Sequence, residues 1–168
     1  MIAIVVALAG LILATTGYVQ KKGARSRAEA EIAGMSAALE SYKADNGNYP
    51  FDTNTNALLP TESNPANYMA ASLSLYKLIS GDTDADRKSD GKDYFAFKPN
   101  MLLPPPPSAA LVVAIRDPFG NSYGYSTAKN PDANPTAAAT ASGYNPTYDL
   151  WSTGGNTSGT QSQWIKNW

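Results

Sequence analysis

From Met1 to Val19 the chain carries no charged residue, and its first fourteen, MIAIVVALAGLILA, are apolar apart from Gly10. Nineteen helical residues reach roughly 28 Å at about 1.5 Å each, close to a hydrocarbon core of about 30 Å. A second pattern follows without a break. Ala28, Ile32, Met35, Leu39, Tyr42 and Asn46 recur at alternating spacings of four and three with no proline among them, which predicts one helical face continuing to about Asp45. The two stretches together predict one helix of some 45 residues, roughly 65 to 70 Å long. A chain of 168 residues, 43% of them hydrophobic, builds one modest domain, and such a domain cannot bury a helix of that length. The first half is therefore expected to project, and the 28–42 stripe to pack on the domain.

Three readings compete for the apolar start: a cleavable signal peptide, a plain membrane anchor, and a helix that spans a membrane and then packs against copies of itself. The first wants a basic region ahead of the apolar run, and nothing basic precedes Met1. Gly10 and Gly17 weaken the helix by up to about 1 kcal/mol each, and serve either to let it bend or to let helices approach closely. Lys21, Lys22, Arg25 and Arg27 follow the span. Taken alone they would put the domain in the cytoplasm, but a basic leader removed from the N-terminus would reverse that comparison.

Composition removes most chemistry. Without Cys or His there is no thiolate nucleophile, no Cys/His zinc site, no Ser-His-Asp triad and no imidazole proton carrier. A net charge of -1 supplies no general field for nucleic acid, so no nucleic-acid partner is expected.

Asn46-Gly47-Asn48-Tyr49-Pro50 closes the long helix, and a second helix is expected over 67–79, stopped by Gly81. Short antiparallel strands are expected over 94–97, 111–115, 122–126 and 148–152, each bounded by Pro, Gly, Asn or Asp. The fold class is thus α+β: a long N-terminal helix whose C-terminal half packs on a small antiparallel sheet. The divisions are 1–20 for the projecting helix, 21–46 for its amphipathic continuation and 47–168 for the globular head. Pro104 to Pro107 reads as an extended spacer, and 130–145, rich in Ala, Thr, Pro and Asn, as an irregular surface loop.

The aromatics Tyr94, Phe95, Phe97, Tyr123, Tyr125, Tyr148 and Trp151 are expected in the sheet's core, and at least one of Trp164 and Trp168 on the domain. Asp117 and Asp149 read as turn residues and not as an acid and base pair. Asp82, Asp84 and Asp86, with Asp93, fall at positions one, three, five and twelve of an EF-hand-like loop, with Asp90 between. Position six is Arg87 where such a loop wants glycine, so a calcium site stands against a solvated acidic loop.

Two blocks carry a resemblance. AALESYKADNGNYP, residues 37–50, resembles the "ALxxYKxDNGxYP" helix end of type II secretion major pseudopilins and their type IV pilin relatives. RDPFGNSYGYS at 116–126, with YDLWSTGG at 148–155, resembles their "DPWGNPYxY…FDxxSxGxDG" strands. The resemblance implies a lollipop-shaped, non-catalytic subunit that passes through the bacterial inner membrane, meets an assembly machinery and polymerises into a periplasmic or extracellular helical filament of identical subunits. Ile4, Val5, Val6, Leu8, Leu11, Ile12 and Leu13 would form the filament core, and Ile32, Met35, Leu39 and Tyr42 the packing of helix on head. Burying about 500 to 1,000 Å² of apolar surface per subunit would yield roughly 12 to 25 kcal/mol gross before assembly entropy.

Two departures accompany it. Family members carry a glutamate at the fifth mature position, and no segment here matches it, so either this member lacks the glutamate or, the preferred expectation, the mature start lies before Met1. The family also holds a calcium ion after the "SxGxDG" turn, whereas GGNTSGTQSQ, residues 154–163, contains no carboxylate. The competing reading is a monomeric, membrane-anchored extracytoplasmic binding domain.

Overall fold

The computed structural model describes the backbone of residues 2–168 and the side chains of residues 17–168. It is an α+β structure. Helix α1 runs unbroken over Ile2–Asn46. It ends where Gly47 takes a left-handed φ of 83° and donates its amide to the Lys43 carbonyl at 2.8 Å, while the Asn46 side-chain amide donates to the Tyr42 carbonyl. Helix α2, Thr53–Ala57, starts at a capping box in which Asp52 accepts from the Asn54 and Thr55 amides and Thr55 Oγ1 accepts from the Asp52 amide. Asn64 opens a 3-10 turn over Pro65–Tyr68 that leads into helix α3, Met69–Ser80. Gly81 stops α3 with φ 71°, and a Cβ there would lie 2.7 Å from the Lys92 carbonyl oxygen.

The strands are short: β1 Leu102–Leu103, β2 Ala114–Ile115, β3 Gly124–Ser126, β4 Asp149–Ser152 and β5 Ile165–Lys166. β1 pairs antiparallel with β2, and β3, β4 and β5 form a second antiparallel sheet in that order. A bridge between Arg116 and Ser122 links the end of β2 to the approach to β3.

Successive side chains of a strand point to opposite faces, and here each face has its own cover. Tyr123, Tyr125, Leu150 and Ile165 meet Ala28, Ile32, Met35 and Leu39 of α1, together with Leu75, Tyr76 and Ile79 of α3, in the main core. The alternate positions, Trp151 and Trp164, join Leu58, Tyr68 and Ala71 in a smaller cluster on the reverse face, with Trp168 packed against it. All three tryptophans of the chain thus gather on that side.

Three expectations are corrected. Residues 94–97 are not a strand: the amides of Tyr94 and Phe95 both donate to the Ile79 carbonyl, at 2.8 and 3.0 Å, and so close the end of α3 instead of joining a ladder. Of residues 111–115 only the last two are strand, because the Val112 amide is taken by the Ala85 carbonyl. The four-proline run turns at Pro106 and Pro107 instead of continuing as an extended spacer, and the Leu103–Pro104 and Pro106–Pro107 bonds are cis. Residues 130–145 are irregular, as expected, but asparagines pin them: Asn130 donates to the Thr147 carbonyl, Asn134 to that of Ala128, and Asn56 to that of Ala133.

Candidate assembly surface

Helix and head meet along a seam with an apolar centre and polar margins. Ile32, Met35 and Leu39 are buried, as their spacing predicts, and Tyr42 is half-buried with its ring 5.1 Å from that of Tyr94. The Tyr123 hydroxyl donates to Glu31 Oε2 at 2.7 Å and the Tyr49 hydroxyl to Glu40 Oε1 at 2.8 Å. Burial raises the Glu31 carboxyl above its usual range against the opposing effect of the Tyr123 bond. Burial, followed by the Glu40 bond, pushes the Tyr49 phenol up to about 12. Asn46 donates to the Tyr94 hydroxyl, and Lys92 pairs with Asp45. At the other end of the seam Arg25 reaches the carbonyls of Gln163 and Trp164, at 2.8 and 3.3 Å, and pairs with Glu29. These bonds fix how the helix leaves the head.

Beyond Arg25 the helix emerges. Tyr18 is 71% and Val19 66% exposed. Two clefts flank the exit. The larger, about 660 Å³, lies between Tyr18, Lys21, Lys22 and Arg25 on one wall and Phe119, Gly154, Gly155, Asn156, Ser162 and Gln163 on the other. The second, about 500 Å³, is bounded by Arg27, Glu31, Phe95, Lys98 and Asn100. The base of the head is therefore ringed by cations.

The acidic loop lies toward the opposite end of the seam. Asp82, Asp84 and Asp86 each bring an oxygen within 4.8 Å of the others. Asp82, however, is already saturated: Oδ1 accepts from the Ala85 and Asp86 amides at 2.7 and 3.2 Å, and Oδ2 from the Tyr76 hydroxyl and the Arg87 amide at 2.6 and 2.7 Å. A carboxylate has about four lone-pair sites, so none is left for a cation. Asp90 turns to the Thr83 amide and hydroxyl, and Asp93 stands outside the group. Arg87 holds the left-handed φ of 76° that glycine takes more readily, and Ala85 another of 67°. The expected set of Asp82, Asp84, Asp86, Asp90 and Asp93 is thus a turn tied around Asp82 and does not fit a resident calcium ion. Burial opposes ionisation of Asp82, but the bonds from Tyr76, Arg87 and Ala85 outweigh it and hold its carboxyl below the usual range. Its contribution to stability is thus present above 3.8 and lost as pH falls through the depressed native value. Asp82→Ala is expected to open residues 83–93 to limited proteolysis and to lower stability by about 2 to 4 kcal/mol at neutral pH; an unchanged digestion pattern would contradict this role.

The loop that carries calcium in the resembled family is also closed without one. The Asn156 side-chain amide donates to Gln163 Oε1 at 2.8 Å, the Ser158 amide donates to Asn156 Oδ1, and the Arg25 guanidinium covers the Gln163 and Trp164 carbonyls. With no carboxylate, and with the Gln163 carbonyl taken by Arg25, this loop does not fit a hard divalent ion.

Asp117 heads the turn after β2, as expected, whereas Asp149 is the first residue of β4 and not a turn residue; both are buried. Asp149 accepts the Tyr144 and Asn145 amides; Asp117 accepts those of Phe119 and Asn121 and the hydroxyl of Ser152. Burial raises both carboxyls above their usual range. The clefts at the base do not follow from the sequence; the one signal for them is the Lys21, Lys22, Arg25 and Arg27 run, which by itself reads as a topology marker.

Ile4, Val5, Val6, Leu8, Leu11, Ile12 and Leu13 lie outside the residues whose side chains are described. Among the described residues no helix is long and apolar enough to cross a membrane. No family model, curated protein or solved structure matches the chain.

Proposed function

We propose that this chain is a structural subunit, not an enzyme, that polymerises into a bacterial filament of the type IV pilin or type II secretion pseudopilin kind. The observation that carries the reading is α1: 45 residues in one unbroken helix, which, among the residues with described side chains, bonds and packs to the head from Arg25 onward. The uncharged run over 1–20, ahead of Lys21 and Lys22, has the composition of a segment buried either in a bilayer or among copies of itself. In this reading the shape is a lollipop, with the head as the outer layer of the filament and the projecting half of α1 as its centre. The subunit waits in the inner membrane, is handed to an assembly machinery, and leaves the bilayer as it joins a periplasmic or extracellular fibre of identical copies. The helix end at residues 37–50 and the strand blocks at 116–126 and 148–155 agree with that family's pattern.

A charge in the apolar half tests it directly. Val6→Glu or Leu8→Glu is expected to abolish fibres in sheared surface fractions viewed by electron microscopy, while immunoblots still detect the chain. A carboxylate buried unpaired among helices costs several kcal/mol, more than a repeated contact tolerates. Normal fibres from either variant would overturn the reading.

A further inference from the structure

Charge on the described surface is segregated along α1. At the base, Lys21, Lys22, Arg27 and Lys98 are exposed and have no carboxylate within ion-pair distance among the described residues. They border the two clefts, whose other walls carry Asn156, Ser162 and Gln163 in the larger, and Asn100 with Glu31, held by the Tyr123 hydroxyl, in the smaller. At the far end, the cations of the acidic loop are spent locally: Arg87 on the Pro104 and Ala110 carbonyls, Lys88 on Asp86, and Lys92 on Asp45. Asp82 faces inward and the exposed Asp90 is held by the Thr83 amide and hydroxyl, which leaves the exposed Asp84 and Asp93. Asp93 sits between Lys92, held on Asp45, and Tyr94, held on Tyr42 and Asn46. Lys22 and Asp45 are 23 residues apart on α1, or about 34 Å. Lys21 and Lys22 therefore cannot reach the acidic loop of their own molecule.

We propose that the basic base of one copy's head receives the acidic loop of a second copy, with Lys21, Lys22, Arg27 and Lys98 facing Asp84 and Asp93. The proposal rests on the assembly reading above and adds the head-to-head contact that the helix alone does not define. Each copy presents one donor and one acceptor surface, so the contact is heterologous, the class of interface that builds an open helical fibre when its rotation does not close. Complementary charge of this kind sets register and suppresses wrong pairings more than it supplies affinity.

The chain has no cysteine, so introduced ones report cleanly. A full-length Lys22→Cys/Asp93→Cys variant, oxidised on the cell surface, is expected to give a ladder of covalent multimers on non-reducing gels, whereas either single variant gives dimers at most. A disulfide needs Cα atoms about 4.4 to 6.8 Å apart, so no bond within one copy competes. In the second arm, Lys21→Glu/Lys22→Glu is expected to lower fibre yield about tenfold or more, and Asp84→Lys/Asp93→Lys in the same chain to restore it to within about threefold. Fibres that form without a ladder would overturn this contact and leave the assembly reading standing. A wild-type chain that forms no fibres would overturn the assembly reading itself. Loss of fibres that loop reversal does not restore would assign the cations to another anion, such as lipid headgroups, and overturn the proposal.

Discussion

Asp117→Ala is expected to lower the stability of the head by about 3 to 5 kcal/mol, a fall of roughly 10 to 15 °C in the unfolding midpoint. Asp117 is 1% exposed and its carboxylate satisfies the turn between β2 and β3. Its Oδ1 accepts the Phe119 and Asn121 amides at 2.9 and 2.8 Å, and its Oδ2 accepts the Ser152 hydroxyl at 2.5 Å. Alanine would leave these donors buried without an acceptor, the costly case for a hydrogen bond. Asp117→Asn keeps the oxygen that serves the two amides and can donate to Ser152 Oγ from its nitrogen, so it should recover most of the loss.

The two variants also differ with pH. Because burial raises the Asp117 carboxyl, its ionisation costs the native state: the contribution is fully present below 3.8 and declines as pH rises through the elevated native value. The asparagine variant should therefore gain on the wild type as pH climbs from about 4 toward neutrality. Thermal unfolding of the three proteins at several pH values checks both statements; equal losses for Ala and Asn, or an asparagine variant that loses ground to the wild type as pH rises, would refute them.

Gly124→Ala is expected to cost about 3 kcal/mol or more, at the upper end for overpacking. Gly124 pairs directly with Trp151 across β3 and β4, and the indole lies over it: a Cβ would fall 2.2 Å from Trp151 Cε2. The ring has no room to withdraw. Tyr68 meets it edge-on at 5.5 Å, Trp164 is stacked at 6.3 Å and Trp168 is edge-on at 6.1 Å. The methyl must displace either the strand pair or the whole reverse-face cluster. Near-ultraviolet dichroism, in which the three indoles dominate, should lose its fine structure with the variant. Adding Trp151→Leu should relieve part of the clash, so that the double change is less damaging than the sum of the two. A variant as stable as the wild type would mean that β3 and β4 separate more easily than their burial implies.

The helical parts of this fold were legible because their signals are local and repetitive. The four-three spacing of Ala28, Ile32, Met35 and Leu39 identifies the buried face of α1, and Gly81 marks the end of α3. The strands were harder, for a physical reason. β3 and β4 fall within the expected 122–126 and 148–152, whereas β1 and β5 were not expected, because two residues each are too few to show a period of two. Tyr94 to Phe97 has strand composition, but its first amides serve the carbonyl of Ile79, a demand set by where α3 happens to end. The same limit applies to the loops. The EF-hand spacing of Asp82, Asp84 and Asp86 does place their oxygens together, yet spacing does not show that Tyr76, from the preceding helix, fills one of the positions a metal would need. The cation-lined clefts at the base required α1 and the 154–163 loop to be seen side by side.

Arg25's grip on the Gln163 carbonyl joins residues 138 apart, and the order in which they are made gives that bond a further meaning. A ribosome adding about 5 to 20 residues each second needs roughly 7 to 28 s to travel from one to the other. For most of that interval the apolar stripe from Ala28 to Leu39 has been synthesised but its cover from β5 has not. That face of the long helix therefore lacks part of its cover until the end of the chain is made, and a chain cut short of Trp164 leaves the stripe without its last strand.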